Sequence, residues 1–503
     1  MAFAVRQWSP CDAPRQGCRG LRHGGRAERP VLWRPYGRGR DDPAAAVMSD
    51  GQGYLAELAW LGGDQVVSDL LIEVADGRIV ALEPTSEPTP GVTRLPGLTV
   101  PGLANAHSHV FHRAIRGRTE SGSADFWQWR DLMYLAAERL DPDRYYEIAR
   151  ATYAEMAMSG ITTVGEFHYV HHGPDGIAYN DPNAMGAALV AGARAAGIRI
   201  TLLDTCYLTA DVTGRPLTGV QRRFDDGTAA AWRHRVEQLS DAEDVRIGAA
   251  IHSVRAVPAE AMSEIADYTQ ARGLPLHFHL SEQPAENEAC LAATGLTPTA
   301  LLQRAGALGP ASTAVHATHL TDADVAALGT SGTALCMCPT TERDLADGIG
   351  PAGRLRDAGS RLCMGSDGHM VIDLWEEMRG VELDERLASG RRGRHTAVDL
   401  LTAGTAGGMA ALGWDGGTLA VGGLADFVSV RLDTPRMAGT SPREPIAHAV
   451  FAATGADVGH VVVGGRLVVQ DSKHLGVGDV AAALASAIAP LVDEWPTSRI
   501  EAP

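Results

Sequence analysis

The feature that most constrains the fold of this chain is a repeated alternation of short apolar runs with longer helical stretches. Eight apolar runs have the length of buried strands, and the intervening segments have helical periodicity. Eight strand–helix units in series predict an α/β fold, a (β/α)8 barrel of the TIM type. The predicted strands are Leu98–Ala104, Thr162–Glu166, Arg199–Asp204, Arg246–Ile251, Leu276–Leu280, Thr313–His316, Thr333–Met337 and Arg361–Met364. The predicted helices include Asp141–Met158, Ala184–Ala196, Pro258–Arg272 and Pro298–Ala307.

Further short strands at both ends of the chain predict a second, smaller β-domain. A hairpin signal, Ala75-Asp76-Gly77, separates two of these strands. The candidate strands are Asp69–Val74, Arg78–Leu82, Ala425–Val430 and His460–Val469. We therefore predict one β-sandwich-like domain from residues 48–100 and 415–475, a barrel from 101–414, and a C-terminal helix and tail from 476–503.

Residues 1–47 differ in composition from the rest of the chain. They contain nine arginines against four acidic residues, many Gly and Pro residues, and no clear periodicity. An Arg-rich targeting peptide is one interpretation. Because no amphipathic helix or apolar signal core is visible, we favour a disordered or non-native extension, with Met48 as the natural initiator.

Charge and cysteine usage narrow the classes of partner. The formal net charge is −17, which makes nucleic acid and anionic membranes poor partners, and no apolar run reaches transmembrane length. The seven cysteines are scattered without a framework, which predicts reduced thiols and a cytoplasmic setting. A small-molecule substrate is the expected partner.

Two histidines follow the first predicted barrel strand. In Asn105-Ala106-His107-Ser108-His109 the imidazoles are two residues apart, and alternate residues of a strand point the same way. Both rings can therefore reach one metal ion, for which neutral imidazole is a common ligand. In a TIM barrel such chemistry lies at the C-terminal ends of the strands.

Three later strand ends add residues of the same kind. His277 and His279 end the fifth strand, His316 ends the sixth, and Asp367 follows the eighth. Three imidazoles and one carboxylate suit a zinc-type ion with room for a water molecule. We favour His279 over His277, because only His279 has Glu282 one short turn away.

Each candidate has a structural alternative. An isolated histidine is usually a hydrogen-bonded structural residue, and His319 is as ambiguous as His277 because each neighbours a better candidate. Cys336 and Cys338 are possible metal ligands, but they lie in an apolar strand without a second Cys pair.

These motifs resemble the amidohydrolase superfamily over the chain from about Tyr54 to Val469. The resemblance implies that four of the residues bind the metal and that His316 contacts the substrate or the metal-bound water. The implied metal ligands are His107, His109, His279 and Asp367.

Lysine usage narrows the subclass. Binuclear members of the superfamily commonly bridge two metals with a carboxylated lysine from the fourth strand, but the single lysine here, Lys473, is far from any barrel strand end. We expect one divalent ion per chain, and zinc is the default for three imidazoles and one carboxylate in this superfamily. Mononuclear members with His-x-x-Glu after the fifth strand are typically deaminases.

The chemistry expected of such a site follows from its groups. The metal lowers the pKa of its bound water, which His316 orients or deprotonates. Asp367 accepts the proton, and Glu282 protonates the substrate nitrogen and then the leaving ammonia. The expected electrophile is an amidine-like carbon.

Longer strings point to one branch of the superfamily. They are His107–Phe111, Phe126–Arg130, Glu166–His172, His252–Arg255, His279–Gln283 and Cys338–Glu342. They are similar to members that hydrolyse N-formimino-L-glutamate to N-formyl-L-glutamate and ammonia in histidine degradation. The resemblance also implies a homodimer.

The resemblance assigns substrate binding to His112, Arg130, Tyr169, His252 and Arg255. Arg suits this substrate because its planar fork can bind a carboxylate in a bidentate manner, and the substrate has two carboxylates. Arg130 is expected in a loop after the first strand, with Trp127 and Trp129 as hydrophobic anchors, and a surface salt bridge is its alternative role. His112 stands where some members have Gln.

Two other functions are alternative interpretations of the same motifs. A nucleobase or nucleoside aminohydrolase would share the metal set and Glu282, but would not need Arg130 and Arg255. A non-catalytic scaffold derived from a hydrolase would be expected to lose metal ligands, all of which are present here.

Overall fold

The computed structural model describes residues 52–85, 91–119 and 126–493, with side chains described from residue 129 onward in the last range. The predicted extension 1–47 and the tail beyond residue 493 lie outside these residues, as do the side chains of residues 126–128. The predicted domain boundaries stay predictions.

The described strands form two sheets. In chain order they are β1 Gln52–Gly62, β2 Gln65–Ala75, β3 Arg78–Pro84, β4 Thr93–Pro101, β5 Leu103–Ser108, β6 Ile161–His168, β7 Arg199–Cys206, β8 Val245–Ile251, β9 Leu276–Leu280, β10 Ser312–His316, β11 Ala334–Met337, β12 Leu362–Met364, β13 Phe427–Val430, β14 Val458–Val463, β15 Arg466–Gln470 and β16 Lys473–His474.

Strands β5 to β12 close into a parallel barrel, which confirms the predicted fold class. Nearly every residue of these strands is buried on both faces, which is why they read as continuous apolar runs. The barrel closes where β12 pairs with β5, at Met364 opposite Asn105, and a further bridge joins Ser108 to Asp367.

The remaining strands form one mixed sheet in the order β16-β15-β14-β13-β4-β1-β2-β3. Both chain ends contribute to it, as predicted. The parallel contact is between β1 and β4, while β13 pairs antiparallel with β4 and so joins the two ends. Lys473 lies on β16 of this sheet, away from the barrel strands.

Fifteen α-helices lie in the described part of the chain, and all but the last two precede β13. They are α1 Phe126–Glu138, α2 Pro142–Met158, α3 Ala184–Ala196, α4 Ala229–Val236, α5 Ala259–Arg272, α6 Pro284–Thr294, α7 Pro298–Arg304, α8 Asp322–Ser331, α9 Pro339–Asp344, α10 Ala352–Ala358, α11 Leu374–Ser389, α12 Ala397–Thr402, α13 Gly408–Ala411, α14 Pro445–Ala452 and α15 Val480–Val492. A 3-10 helix, Val110–Ile115, follows β5 directly. None of the helices in the described part of the chain is both long and apolar enough to cross a membrane.

Two local predictions were wrong. The run Leu98–Ala104 is not one strand: Leu98 to Pro101 belong to β4 of the mixed sheet, and the barrel strand β5 begins at Leu103. The break is at Gly102, where a Cβ would lie 2.2 Å from the Thr162 hydroxyl. Arg130, expected in a loop, lies on helix α1.

Candidate active site

Three imidazoles converge inside the C-terminal end of the barrel. His107 and His109 come from the end of β5, and His279 comes from β9. The His279 Nε2 atom lies 3.1 Å from Nε2 of His107 and 3.4 Å from Nε2 of His109. Strand alternation therefore points the two β5 rings at the same place, as the sequence predicted.

Backbone carbonyls fix the orientation of two of these rings. His109 Nδ1 lies 3.0 Å from the Phe167 carbonyl oxygen, and His279 Nδ1 lies 2.9 Å from the His252 carbonyl oxygen. Each Nδ1–H donates to its carbonyl, so the Nε2 lone pair faces the centre of the cluster. Burial lowers the pKa of His107 to about 3 and lowers the pKa of the other two, which keeps all three rings neutral.

Asp367 completes this cluster from the segment after β12. Its Oδ1 lies 3.2 Å from His107 Nε2 and 3.3 Å from His109 Nε2. Lone pairs and an anionic oxygen crowded this closely repel one another unless a cation lies among them. The donor set and its convergence therefore fit one zinc-type ion.

His316 stands beside this cluster at the end of β10. Its Nδ1 lies 3.4 Å from Glu342 Oε1, while its Nε2 lies 3.8 Å from Asp367 Oδ2 and 3.9 Å from Glu282 Oε1. Burial alone would lower the pKa of His316, but the three surrounding carboxylates raise it to about 10. The Nε2 edge of this ring thus lies between Glu282 and Asp367, too far from either for a hydrogen bond.

An arginine links Glu282 to a second acid. Arg255 follows β8, and its Nη2 lies 3.3 Å from Glu282 Oε2. Its Nε lies 3.3 Å from Oε2 of Glu286, which is on the first turn of α6. Glu282 therefore faces His316 with one oxygen and Arg255 with the other.

A cavity of about 350 Å³ opens over these groups. All five predicted substrate-binding residues line it, together with Glu282 and Asp367. His112 Nε2 lies 3.0 Å from the Tyr169 hydroxyl, and the Arg130 guanidinium lies 5.5 Å from the centre of the Tyr134 ring. The cavity thus presents cationic, phenolic and imidazole groups in front of the His–Asp cluster.

The barrel and part of the mixed sheet match a known family model. Residues 98–468 match the model of the Amidohydrolase family. The chain belongs to this family.

Curated relatives of the chain include deaminases. The chain is 37% identical, over 83% of its own length and 95% of the relative's, to a formimidoylglutamate deiminase of Pseudomonas aeruginosa. It is 28% identical, over 83% and 94%, to a 5-methylthioadenosine/S-adenosylhomocysteine deaminase of Natronomonas pharaonis. A crystal structure of an amidohydrolase from Brucella melitensis superposes with a TM-score of 0.78 at 29% identity, covering 88% of this chain and 99% of that one. This amidohydrolase is therefore a hydrolase acting on C–N bonds, and its reaction is hydrolytic deamination.

The alternative ligands of this amidohydrolase are outside the His–Asp cluster. His277 Nε2 is 2.9 Å from the Ala411 carbonyl oxygen, and His319 Nε2 is 2.8 Å from the Asp347 carbonyl oxygen, so both are structural. Cys338 lies within 4.8 Å of His316 and Glu342. Among the described residues, three groups of His, Cys, Asp or Glu side chains are close enough together to hold one metal ion, and Cys336 is in none of them.

Sequence reasoning gave no role to three acids beside the site. Glu342 contacts His316, Glu286 contacts Arg255, and Asp347 accepts a hydrogen bond from Gln283. Burial, followed by the charge of Glu282, raises the pKa of Asp347 to about 8. Glu342 is part of the string Cys338–Glu342, but the spacing of that string does not indicate that His316 is its partner.

Proposed function

We propose that this amidohydrolase converts N-formimino-L-glutamate and water to N-formyl-L-glutamate and ammonia. The observation that carries the proposal is the 37% identity to the P. aeruginosa deiminase over 83% of the chain. The cavity adds chemical support, because Arg130 and Arg255 both line it and the substrate has two carboxylates.

We assign one divalent ion, Zn²⁺, to His107, His109, His279 and Asp367. Their converging nitrogen and oxygen atoms support this assignment. When bound, the ion supplies Lewis acidity, which makes water a nucleophile near neutral pH.

The chain's own groups supply the proton transfers. His316 Nε2 lies between Asp367 and Glu282, so it can donate a hydrogen bond that orients the attacking water. Asp367 takes the proton from this water as its oxygen bonds to the formimino carbon. Glu282 gives one proton to the imino nitrogen. It then takes the remaining hydroxyl proton from the tetrahedral carbon and passes it to the same nitrogen, so that the C–N bond breaks and ammonia leaves. The proton held by Asp367 restores Glu282.

The cavity wall holds the rest of the substrate. We assign the two carboxylates to Arg130 and Arg255, which come from α1 and from the segment after β8. His252, Tyr169 and His112 supply neutral hydrogen-bonding groups around the formimino end. Burial lowers the pKa of His252 well below its usual value, so this ring can both donate and accept.

A nucleoside deaminase is the second candidate. The N. pharaonis relative favours it, and so does the aromatic part of the wall, where Trp129, Tyr169 and Phe224 line the cavity. A purine would stack on such rings. The pair of arginines has no counterpart in a neutral nucleoside, and this favours the dicarboxylate.

Ammonia release separates the two candidates. Zinc-loaded protein is given N-formimino-L-glutamate or 5-methylthioadenosine, and the products are identified by mass. Ammonia with N-formylglutamate is the expected result. Formamide with glutamate, or turnover of the nucleoside alone, would overturn the proposal.

A further inference from the structure

Glu286 is a buried acid that the reaction described above does not use. It lies on the first turn of α6, four residues after Glu282, with 2% of its surface exposed. Burial raises its pKa, although the charge of Arg255 opposes the shift. A carboxylate in such a position destabilises the fold unless its two oxygens have good partners.

One oxygen holds the turn that carries Glu282. The Ser281 backbone N–H donates to Glu286 Oε1 over 3.1 Å. Ser281 has φ of 49°, in the left-handed region that non-glycine residues rarely adopt. Because Ser281 immediately precedes Glu282, this hydrogen bond fixes the direction in which the Glu282 side chain leaves the backbone.

The other oxygen holds Arg255. Glu286 Oε2 lies 3.3 Å from Arg255 Nε, and Arg255 Nη2 lies 3.3 Å from Glu282 Oε2. The guanidinium therefore lies between two carboxylates, with a hydrogen bond to Glu282 and an ion-pair contact with Glu286. A planar fork held in this way is oriented before any substrate arrives.

We propose that Glu286 is a positioning residue for the deamination, acting on Glu282 through the Ser281 amide and on substrate binding through Arg255. The proposal rests on the proposed function, since it assigns Arg255 to a substrate carboxylate. The competing explanation is that Glu286 only stabilises the N-terminus of α6, as acids in a first helical turn do. That role would change stability and leave substrate affinity unaltered.

A double-substitution cycle separates these roles. Glu286→Gln keeps an oxygen that can accept from Ser281 and removes the charge that holds Arg255. Glu288→Gln is the matched control, because Glu288 is on the same helix and exposed. KM, kcat and Tm are measured for both variants, for Arg255→Met, and for the double variant Glu286→Gln with Arg255→Met.

We expect Glu286→Gln to raise KM for N-formimino-L-glutamate about tenfold, the size of coupling usual between residues in contact. Glu288→Gln should leave KM unchanged. In the Arg255→Met background, Glu286→Gln should raise KM no further. The same tenfold rise in that background, or a lower Tm with unaltered KM, would overturn the proposal.

A crystal structure of the Glu286→Gln variant decides the point without a substrate. We expect the Arg255 guanidinium to leave its place between the two acids. If it keeps both 3.3 Å contacts, the proposal is wrong. Failure of the unaltered enzyme to turn over N-formimino-L-glutamate is a different result, since it refutes the proposed function and leaves the crystallographic test in force.

Discussion

Replacing Glu282 with Gln isolates the proton transfer from every other property of the site. The amide group of Gln has nearly the volume of the carboxyl group of Glu. Its oxygen can take the place of Glu282 Oε2, which lies 3.3 Å from Arg255 Nη2. It cannot give a proton to the leaving nitrogen. General acid–base catalysis typically contributes 10²–10⁴ in rate, or about 3–5 kcal/mol of transition-state stabilisation.

We therefore expect kcat to fall by about 10²–10⁴, with KM changing by less than about tenfold. The smaller change in KM follows because Arg255 keeps Glu286 as its partner at 3.3 Å. The metal content should be unaltered, because Glu282 does not belong to the group of possible metal ligands that contains His107 and Asp367.

Ammonia release is followed in a coupled spectrophotometric assay, and metal content is measured by mass spectrometry on the same samples. Glu288→Gln, on the exposed face of α6, is the control and should retain full activity. A kcat within tenfold of the unaltered enzyme, with metal bound, would remove Glu282 from proton transfer. Loss of the metal would show instead that the site was assigned wrongly.

Four further predictions concern substrate, metal and stability. Arg255→Met should raise KM for the dicarboxylate by about 10- to 150-fold, the worth of one hydrogen bond to a charged group, and steady-state kinetics would refute this by showing an unaltered KM. Chelation should abolish turnover and lower Tm, and zinc should restore both, because an ion that binds only the native state stabilises it by about 2.7 kcal/mol at 100 times its Kd. Asp204→Asn breaks a buried pair with Arg235 at 2.7 Å, so denaturant unfolding should show a loss of about 3–5 kcal/mol while metal content stays constant. Burial raises the pKa of Glu377 in the folded protein well above its value in the unfolded chain. The stability that Glu377 contributes is therefore fully present at a pH below the unfolded-state pKa, and it is lost as the pH rises through the folded-state pKa. Glu377→Gln, whose amide can still pair with Thr340, should therefore raise Tm by about 1–2 °C at pH 8 and by less at pH 5, and an equal shift at both would contradict this.

The barrel and the converging histidines could be predicted because both depend on local pattern. Fully buried parallel strands read as apolar runs, and a two-residue spacing on a strand fixes a common direction for His107 and His109. The run from Leu98 was misread because two successive strands, β4 and β5, are both apolar and only Gly102 divides them. Periodicity alone does not distinguish one long strand from two short ones.

The acids around the site could not be predicted for a different reason. Glu286 and Glu342 each lie in the first turn of a helix, where acidic residues are common because they interact with the helix N-terminus. Their partners, Arg255 and His316, come from other strands and become neighbours only when the barrel closes. Sequence spacing within one segment carries no information about such a pair.

The electrostatic balance of the assembled site links metal binding to substrate binding. Four carboxylates, those of Glu282, Glu342, Asp347 and Asp367, affect the pKa of His316 or one another, and all four are nearly buried. Protonated His316 and Arg255, which pairs with Glu282, do not neutralise all four, and burial with the charge of Glu282 raises the pKa of Asp347 to about 8. A substrate with two carboxylates adds negative charge to this region. A divalent ion among the His–Asp cluster offsets that excess at short range, where burial weakens screening. Removing the ion should therefore weaken binding of a dicarboxylate inhibitor as well as abolish turnover, and calorimetry on the metal-free protein would show unaltered affinity if this balance were unimportant.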